Sequence, residues 1–163
     1  MFGYKVVVKR RVPKRYRPPE LDQRLRVHRT VNEARLLQAA LKAGVPVPVV
    51  FDVNLRDTTI VMEFVEGVLL RDLIAEGRWG VVREALRQAG RNIGLLHLDG
   101  IVHGDLTTSN MILSSDSRVF FIDFGLGAKS TELEDRGVDL HLMLRALESS
   151  HYDVASKAFE KAM

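Results

Sequence analysis

The sequence predicts an α+β protein of two lobes, a small strand-rich N-lobe with one helix and a mainly helical C-lobe. Apolar runs bounded by turn residues flank a single helical stretch in the first 65 residues, whereas apolar residues at three- and four-residue spacing dominate the remainder. The pattern changes from short apolar runs to helical spacing of apolar residues between Glu63 and Gly67. We therefore expect an N-lobe over residues 1–65 and a C-lobe over residues 66–163.

The N-terminal part reads as a strand, a connection, a helix and a hairpin. The run YKVVVKRR is typical of a short strand, and the prolines of VPKRYRPPELD prevent a regular ladder after it. From about Glu20 the apolar spacing predicts a helix that ends at Gly44. The predicted apolar face of this helix consists of Val27, Val31, Ala34, Leu37 and Leu41. Two strands then enclose a polar turn at residues 54–58.

The C-terminal part is predicted to contain helices around one hairpin. VVREALRQAGRNIGLLHLDG predicts a helix that ends at Gly100. Its apolar face consists of Val82, Leu86, Ala89, Ile93 and Leu96. NMILSSDSRVFFIDFG is typical of a hairpin with its turn at residues 114–117, EDRGVDLHLMLRALESS predicts a buried helix, and VASKAFEKAM predicts a further helical segment. Because the sequence begins inside a strand and stops inside a helix, we expect it to be part of a longer chain.

Composition limits the class of protein. The chain has 163 residues, 46% hydrophobic and 28% charged, which is typical of a globular domain. It contains no cysteine, no apolar run long enough for a membrane helix and no signal-peptide pattern, so we expect a cytoplasmic protein without a membrane partner. Eleven of the 24 Lys and Arg residues lie in the first 35 positions, against three acids. This basic region predicts either a phosphate-bearing partner or a solvated charged face.

The segment HGDLTTSN and the later IDFG bring polar side chains to one end of the predicted hairpin. Pairing of its strands puts Asn110, before the first strand, beside Asp123, after the second, about 5 Å apart. An amide oxygen and a carboxylate are hard ligands that suit Mg²⁺. Asp105 lies in the loop that enters the same end and can act as a base on whatever the metal holds. The alternative is an ordinary turn, because Asp and Asn are common turn residues.

HGDLTTSN followed by DFG resembles the protein-kinase catalytic loop and metal-binding motif. The resemblance implies a protein-kinase-like fold and Mg²⁺-assisted transfer of the γ-phosphate of ATP to water or to a Ser/Thr hydroxyl. It implies that Asp105 orients or deprotonates the attacking oxygen and that Asn110 and Asp123 hold Mg²⁺. ATP and Mg²⁺ are therefore the expected ligands of the site.

The same resemblance implies a Lys on a strand that holds the phosphates and a Glu on a helix that fixes this Lys. Glu33 lies one helical turn from Leu36 and Leu37, so it points toward the packed side of its helix. A buried carboxylate needs a cation, because loss of one partner of a buried pair costs about 3–5 kcal/mol. We predict Lys9 as this partner, with Lys5 on the same strand face as the competitor. Two independent surface charges are the alternative.

The segment IVMEFVEG fits the connection between the lobes. Here we expect Met62, Glu63 and Val65 to contact ATP, with free backbone groups at residues 63–65 pairing with the adenine edge. A strand end followed by a loop is the alternative. His97 is predicted to be a core histidine and His103 to hold its loop through a ring nitrogen. The other histidines have no spacing that suggests a metal site.

A wider match indicates one family. The segments VVVKRRVPKRYRPPELDQRLRVHRTVNEARLL, HGDLTTSNMIL, FIDFGLG and EDRGVDLHLMLRALESSH resemble the small atypical kinase of the KEOPS (EKC) complex. The resemblance runs from about residue 4 to residue 151. It implies a role in threonylcarbamoyladenosine modification of tRNA, together with a synthase subunit and a small regulatory subunit, and an activity that is largely that of an ATPase. Contact with tRNA through the basic N-terminal region would follow.

Two features distinguish this sequence from regulated protein kinases. Gly104 stands where those kinases have an Arg that clamps a phosphorylated activation loop, and no APE segment follows DFG. The sequence also departs from the family pattern at both ends. Only eight residues precede Lys9, so the given sequence does not contain the glycine-rich loop that covers the phosphates. The basic C-terminal tail of the family is also missing from it. Two rival hypotheses therefore stay open: a non-catalytic scaffold of kinase shape that binds tRNA or proteins, and a Rio-type ribosome-assembly kinase.

Overall fold

Three strands and one long helix form the N-terminal part of the protein. The computed structural model describes the backbone of residues 5–150 and the side chains of residues 5–148. Strand β1 spans Val6–Arg10, helix α1 spans Pro19–Lys42, and strands β2 and β3 span Val50–Asn54 and Thr59–Glu63. The strands form an antiparallel sheet in the order β1-β3-β2. The strand, helix and hairpin predicted from the sequence are thereby confirmed.

Local sequence explains the limits of α1. Pro19 occupies the first turn, where its missing N–H has no helical partner to lose. Glu20 and Asp22 lie at the positive end of the helix dipole and Lys42 at the negative end. The chain then leaves the helix at Gly44, whose φ of +83° is a conformation that side chains with a Cβ rarely adopt.

The buried face of α1 differs from the predicted one. Of the predicted apolar set only Leu37 is buried, and Leu41 is exposed. The face that packs inward is turned by roughly 100° and carries Asp22, Thr30, Glu33, Leu36, Leu37 and Ala40. Half of this set is polar, so apolar periodicity alone indicates a neighbouring face of the helix.

The C-terminal part combines short strands with three helices. In chain order it contains β4 (Gly67–Leu69), α2 (Leu70–Ala75), α3 (Trp79–Leu98), β5 (Ile101–Val102), a 3-10 turn (Thr108–Asn110), β6 (Met111–Ser114), β7 (Val119–Phe121), β8 (Ala128–Lys129) and α4 (Leu133–Ser150). Strands β6 and β7 form the predicted hairpin, with Met111 opposite Phe121. All five residues of the predicted apolar face of α3 are buried.

Two expectations for this part were wrong in detail. The short strand β4, which pairs with β6, was not predicted, because three residues are too few to show an alternating pattern. Helix α4 is not buried all round, because only the stripe Asp139, Met143 and Leu147 is covered among its described side chains. The helical segment predicted at VASKAFEKAM lies outside the described residues.

One hydrophobic core joins the two parts of the chain. Leu36, Leu37 and Ala40 of α1 belong to the same buried apolar cluster as the inner faces of α2 and α3 and as Met111 and Phe121 of the hairpin. The apolar side chains of β1 are not in this core, since Val6 and Val8 are exposed. Among the described residues, no helix combines the length and the hydropathy that crossing a bilayer requires. The fold is thus a two-lobed α+β arrangement in which α1 is anchored to the C-terminal part.

Candidate active site

Lys9 and Glu33 form an ion pair between β1 and α1. Lys9 Nζ lies 2.7 Å from Glu33 Oε1, and the Glu33 side chain is only 1% exposed. The competitor Lys5 points elsewhere: it is 72% exposed and lies 3.5 Å from Glu66. The predicted pair is therefore present, and independent surface charges do not describe these two residues.

Arg11 is a second cation on the same carboxylate, and sequence reasoning missed it. Its guanidinium contacts Glu33 Oε2, and Arg11 Nη1 donates a 3.4 Å hydrogen bond to Thr30 Oγ1. Glu33 thus has Lys9 on one oxygen and Arg11 on the other, which allows a charged carboxylate to be buried. The sequence does contain a signal for Arg11, because residues two apart on a strand share a face and Lys9 is predicted on the inner face.

Asp123 joins this cluster from the C-terminal part. Its Oδ1 lies 2.6 Å from Lys9 Nζ and accepts a 3.2 Å hydrogen bond from the Gly125 amide. Partial burial alone would raise the pKa of Asp123, but the hydrogen bond and charge of Lys9, the Gly125 amide and the charge of Arg11 outweigh it, so the pKa lies below the ordinary aspartate value. Asp123 has φ +61°, a strained conformation for a residue other than glycine. It is an anionic carboxylate held in one position.

Asp105 and Asn110 are linked within one loop. Asn110 Nδ2 lies 2.8 Å from both the backbone oxygen and Oδ2 of Asp105. Both of these atoms accept only, because the Asp105 side chain is a carboxylate, so the NH₂ group of Asn110 must face Asp105. Asn110 Oδ1 then makes no hydrogen bond to the described residues, nor does Asp105 Oδ1.

The side-chain oxygen atoms of Asn110 and Asp123 that make no hydrogen bond to the described residues are the candidate metal ligands of this loop. The predicted pairing of Asn110 with Asp123 is wrong by one residue. Met111 lies opposite Phe121 and the Ile122 amide donates to the Asn110 carbonyl at 3.0 Å, so Asn110 lies opposite Ile122. The free atoms of the predicted pair are Asn110 Oδ1 and Asp123 Oδ2, two hard oxygen ligands that fit Mg²⁺ with water and phosphate at its other positions. No group of three His, Asp or Glu residues in the described part of the chain could enclose a metal.

His103 and Asp139 fix the loop from beneath. His103 is fully buried, and its Nε2 lies 3.1 Å from the Ile122 carbonyl while the Asp105 amide donates to its Nδ1 at 3.3 Å. The tautomer that satisfies both contacts carries its proton on Nε2 and is neutral. Burial lowers the pKa of His103, against the attraction of Asp139, the Ile122 carbonyl, Asp105 and Asp123. The structural role predicted for His103 is confirmed.

Asp139 was not singled out from the sequence. This buried carboxylate of α4 accepts hydrogen bonds from the amides of His103, at 2.7 Å, and Gly104, at 2.8 Å. Its Oδ2 also lies 3.1 Å from Nε2 of the core histidine His97, as expected for a histidine with a satisfied partner. Asp139 therefore clamps the backbone immediately before Asp105.

Gly104 is required by the geometry of the same turn. Its φ is +77°, and a Cβ at this position would overlap with the carbonyl oxygen of Leu126 in the DFG segment. An Arg of the kind found in regulated kinases therefore does not fit here without movement of the turn.

An apolar cleft of about 220 Å³ opens beside the charged cluster. Its walls come from β1, β3 and the hairpin end, and its charged end carries Lys9, Glu33 and Asp123. The lining residues include Val7, Met62, Glu63, Val65, Ile112 and Ile122. Apolar walls with a few convergent polar groups are typical of a small-molecule site.

The backbone at the cleft corrects one expectation. The amides of Glu63 and Phe64 are already bonded, to the carbonyls of Val49 at 2.8 Å and Lys5 at 3.2 Å, because the sheet extends past the end of β3. The N–H and carbonyl of Val65 make no hydrogen bond to the described residues. Free groups for a ligand edge are therefore found at Val65 rather than along all of residues 63–65.

A cleft with apolar walls, a Lys–Glu pair from one lobe and an Asp–Asn loop with a DFG aspartate from the other defines a kinase-like protein. The family model described as the RIO domain matches residues 5–134. The KEOPS complex subunit Bud32 of Pyrococcus abyssi is 50% identical over 162 residues, covering 99% of this chain and 73% of that protein. A probable serine/threonine-protein kinase BUD32 homolog of Archaeoglobus fulgidus is 45% identical, covering 89% of this chain and 69% of its own length.

The chain belongs to the RIO-domain family of kinase-like proteins and, within it, to the Bud32 group, as the sequence resemblance predicted. A probable bifunctional tRNA threonylcarbamoyladenosine biosynthesis protein of Methanosarcina acetivorans is 45% identical over 98% of this chain, which spans only 28% of that relative. The crystal structure of monomeric WbdD has a TM-score of 0.66 at 24% identity, covering 90% of this chain and 36% of that one, and supports the fold alone.

Proposed function

We propose that the chain binds Mg²⁺-ATP in the apolar cleft and transfers the γ-phosphoryl group to water or to a Ser/Thr hydroxyl. The observation that carries this proposal is the position of Lys9 Nζ, 2.7 Å from Glu33 and 2.6 Å from Asp123 at the charged end of the cleft. An ammonium group fixed by two carboxylates from different lobes is suited to hold phosphate oxygens.

Each polar residue has one role in this reaction. Lys9 holds the phosphates, and Glu33, fixed on its other oxygen by Arg11, orients Lys9. Asp105 accepts the proton of the attacking oxygen through the carboxylate oxygen that Asn110 leaves free. The new bond forms between that oxygen and the γ-phosphorus, and the bond to the bridging oxygen of ADP breaks.

Asn110 Oδ1 and Asp123 Oδ2 would hold Mg²⁺, which neutralises phosphate charge when bound. The low pKa of Asp123 keeps this carboxylate ionised at neutral pH. Met62 and the other apolar residues would cover the base, with the backbone of Val65 at its polar edge and the Glu63 side chain at the cleft rim. The proposed lobes are residues 1–65 and 66–163, with the cleft between them.

We further propose that the chain acts within a KEOPS complex and supports threonylcarbamoyladenosine modification of tRNA. The names of its relatives support this role, since one is a KEOPS complex subunit and others are tRNA threonylcarbamoyladenosine biosynthesis proteins. The expected partners are the synthase subunit, a small regulatory subunit and tRNA. The cytoplasmic location and the ATPase character stay predictions of the same proposal.

Replacement of the proposed base tests the enzymatic part. Asp105→Ala should lower ATP turnover by about 10²–10⁴-fold, because general-base catalysis typically contributes that much. The assay is release of inorganic phosphate from ATP with Mg²⁺, with circular dichroism to check the fold. Asp52→Ala is the matched control, because Asp52 is exposed and has no ion pair among the described residues.

Unchanged turnover in Asp105→Ala would remove the role assigned to this residue. Absence of turnover in the unaltered protein, together with intact binding of its partners, would favour the non-catalytic scaffold. Equal losses in Asp105→Ala and Asp52→Ala would point to damage of the fold.

A further inference from the structure

Residues 123–127, which contain the DFG motif, connect β7 to β8 without regular secondary structure. Inside this segment the Gly125 amide donates to Asp123 Oδ1 at 3.2 Å, and the Gly127 amide donates to the Phe124 carbonyl at 3.0 Å. The φ of +61° at Asp123 is a strained conformation that persists only where the surrounding structure enforces it. The segment therefore depends on neighbouring elements for its conformation.

Arg11 reaches residues 123–127 from the end of β1. A Cβ at Gly125 would lie 2.9 Å from Arg11 Nη2 and 3.0 Å from Asp123 Oδ1, so these two atoms are no more than about 6 Å apart. Opposite charges at such a separation attract each other and favour the charged carboxylate. The Arg11 side chain is only 14% exposed, so salt screens this attraction weakly. The guanidinium thus lies against Gly125 and attracts Asp123, in addition to its contact with Glu33.

Arg11 is itself held at both ends. Its amide donates to the Thr58 carbonyl at 3.1 Å, and its carbonyl oxygen lies 2.9 Å from the hydroxyl of Thr58, which is fully buried. At the other end of the side chain, Arg11 Nη1 donates to Thr30 Oγ1 of α1. A side chain that is already fixed loses little further conformational entropy when it contacts a neighbour. Arg11 is therefore suited to restrain the residues beside it.

Asn32 holds the other end of the same segment. Its Nδ2 donates a 2.8 Å hydrogen bond to the Gly127 carbonyl. Gly127 also packs closely on α1, since a Cβ at this position would lie 2.8 Å from Leu36 Cδ1. Asn32 directly precedes Glu33, whose carboxylate contacts Arg11. One turn of α1 therefore determines the contacts at both ends of residues 123–127.

We propose that Arg11 and Asn32 are positioning residues for Asp123, which hold residues 123–127 so that the Asp123 carboxylate lines the cleft without help from a phosphorylated side chain. The restraint on the segment rests on these contacts, whereas its value for the metal rests on the proposed function. If Arg11 only neutralised Glu33, the conformation of residues 123–127 would not depend on it. The two cases differ in how readily this segment opens.

Hydrogen exchange of the nucleotide-free full chain, followed by mass spectrometry of peptides that contain residues 123–127, tests this restraint. Asn32→Ala removes one neutral hydrogen bond, and Arg11→Met removes the guanidinium. Arg11→Lys keeps a cation at this position and serves as the second variant if Arg11→Met does not fold. The matched controls are Gln38→Ala, an exposed amide of α1, and Arg10→Met, an exposed cation of β1; neither side chain has a hydrogen bond or ion pair among the described residues.

Exchange of this segment should become about three- to tenfold faster in Asn32→Ala and at least about tenfold faster in Arg11→Met, because a hydrogen bond to a charged group contributes more than a neutral one. Arg11→Lys should show a smaller increase than Arg11→Met, and both controls should exchange as the unaltered chain does. No increase in Asn32→Ala, none in any folded Arg11 variant, or an equal increase in the controls would overturn the inference.

Steady-state release of phosphate from ATP gives the functional readout. Asn32→Ala should lower kcat by about three- to tenfold and keep KM for ATP within about twofold, because Asn32 does not contact Lys9, the proposed phosphate ligand. A higher KM with unchanged kcat would place the effect on nucleotide binding and would contradict a role in positioning Asp123. If the unaltered chain releases no phosphate, the proposed function fails, while hydrogen exchange still decides whether Arg11 and Asn32 restrain the segment.

Discussion

Glu33 is held by two cations that approach from the same strand. Lys9 and Arg11 lie two residues apart on the inner side of β1 and its extension, and each takes one carboxylate oxygen. With both oxygens fixed, the carboxylate cannot rotate when Lys9 shifts toward a ligand. Lys9 has three N–H donors, of which Glu33 and Asp123 use two, so one remains for a phosphate oxygen.

His103 should make the stability of the protein depend on pH. Its pKa in the folded protein lies below the ordinary value of about 6.5, because burial disfavours the imidazolium and Nδ1 already accepts the Asp105 amide. Below pH 6.5 the unfolded chain then binds more protons than the native protein does. The free energy of unfolding should fall as the pH is lowered, by at most about 1.4 kcal/mol per pH unit from this group.

Urea unfolding between pH 8 and pH 5 measures this dependence. His103→Gln should be less stable than the unaltered protein at pH 8, and the difference should narrow as the pH falls, because the variant lacks the titrating ring. Parallel stability curves for the two proteins over this range would show that His103 is not the group responsible.

At the scale of elements, helix α4 holds the loop of the proposed base in place through one carboxylate, that of Asp139. Asp139 accepts the amides of His103 and Gly104, so the helix fixes the turn that carries Asp105. The His103 amide is buried and loses its partner without replacement when Asp139 is changed, while the Gly104 amide is half-buried. The position of the proposed base thus depends on a helix that contributes no side chain to the cleft.

Asp139→Asn should lower the free energy of unfolding by about 1–3 kcal/mol, because one oxygen acceptor is replaced by an NH₂ group that faces N–H donors. Chemical denaturation with tryptophan fluorescence provides the measurement. Asp52→Asn removes the same charge from an exposed position and should change stability by less than about 0.5 kcal/mol. A loss in Asp139→Asn no larger than in this control would contradict the proposed clamp.

The helices and strands also show which parts of the fold could be predicted from the sequence. The apolar face of α3 and the hairpin turn were predicted correctly, because the buried residues of α3 are apolar up to His97 and the strands of the hairpin are apolar runs around a polar turn. The buried face of α1 was assigned about 100° away, because three of its six buried residues, Asp22, Thr30 and Glu33, are polar and do not appear in an apolar pattern. Strand β4 and the pair β5–β8 are too short for a pattern and exist only through their ladder partners.

In the candidate site, too, some contacts could be predicted from the sequence and others could not. The Lys9–Glu33 pair could be predicted because a buried carboxylate requires a cation and Lys9 stands at the end of an apolar strand. Asp139 could not, since its role depends on three-dimensional proximity to backbone amides 35 and 36 positions away. The catalytic and metal-binding roles of Asp105, Asn110 and Asp123 stay predictions.

At the scale of the whole molecule, helix α1 connects the two sides of the cleft. Helix α1 contacts β2 and β3 in the N-terminal part and β5 and β8 in the C-terminal part, while Glu33 near its middle reaches the cleft. Asn32 adds a 2.8 Å hydrogen bond to the Gly127 carbonyl just after the DFG segment. The two halves of the proposed phosphate site are therefore connected by packing as well as by the Lys9–Asp123 ion pair.

Calorimetric titration of Mg²⁺-ATP into the full chain measures the central claim most directly. Saturable binding should require Mg²⁺, and Lys9→Met should weaken it by about tenfold or more, equivalent to at least about 1.4 kcal/mol. Lys5→Met, on the same strand but exposed and paired with Glu66, should bind as the unaltered protein does. Absence of binding by the unaltered chain, or equal binding by Lys9→Met and Lys5→Met, would contradict a phosphate site built on Lys9.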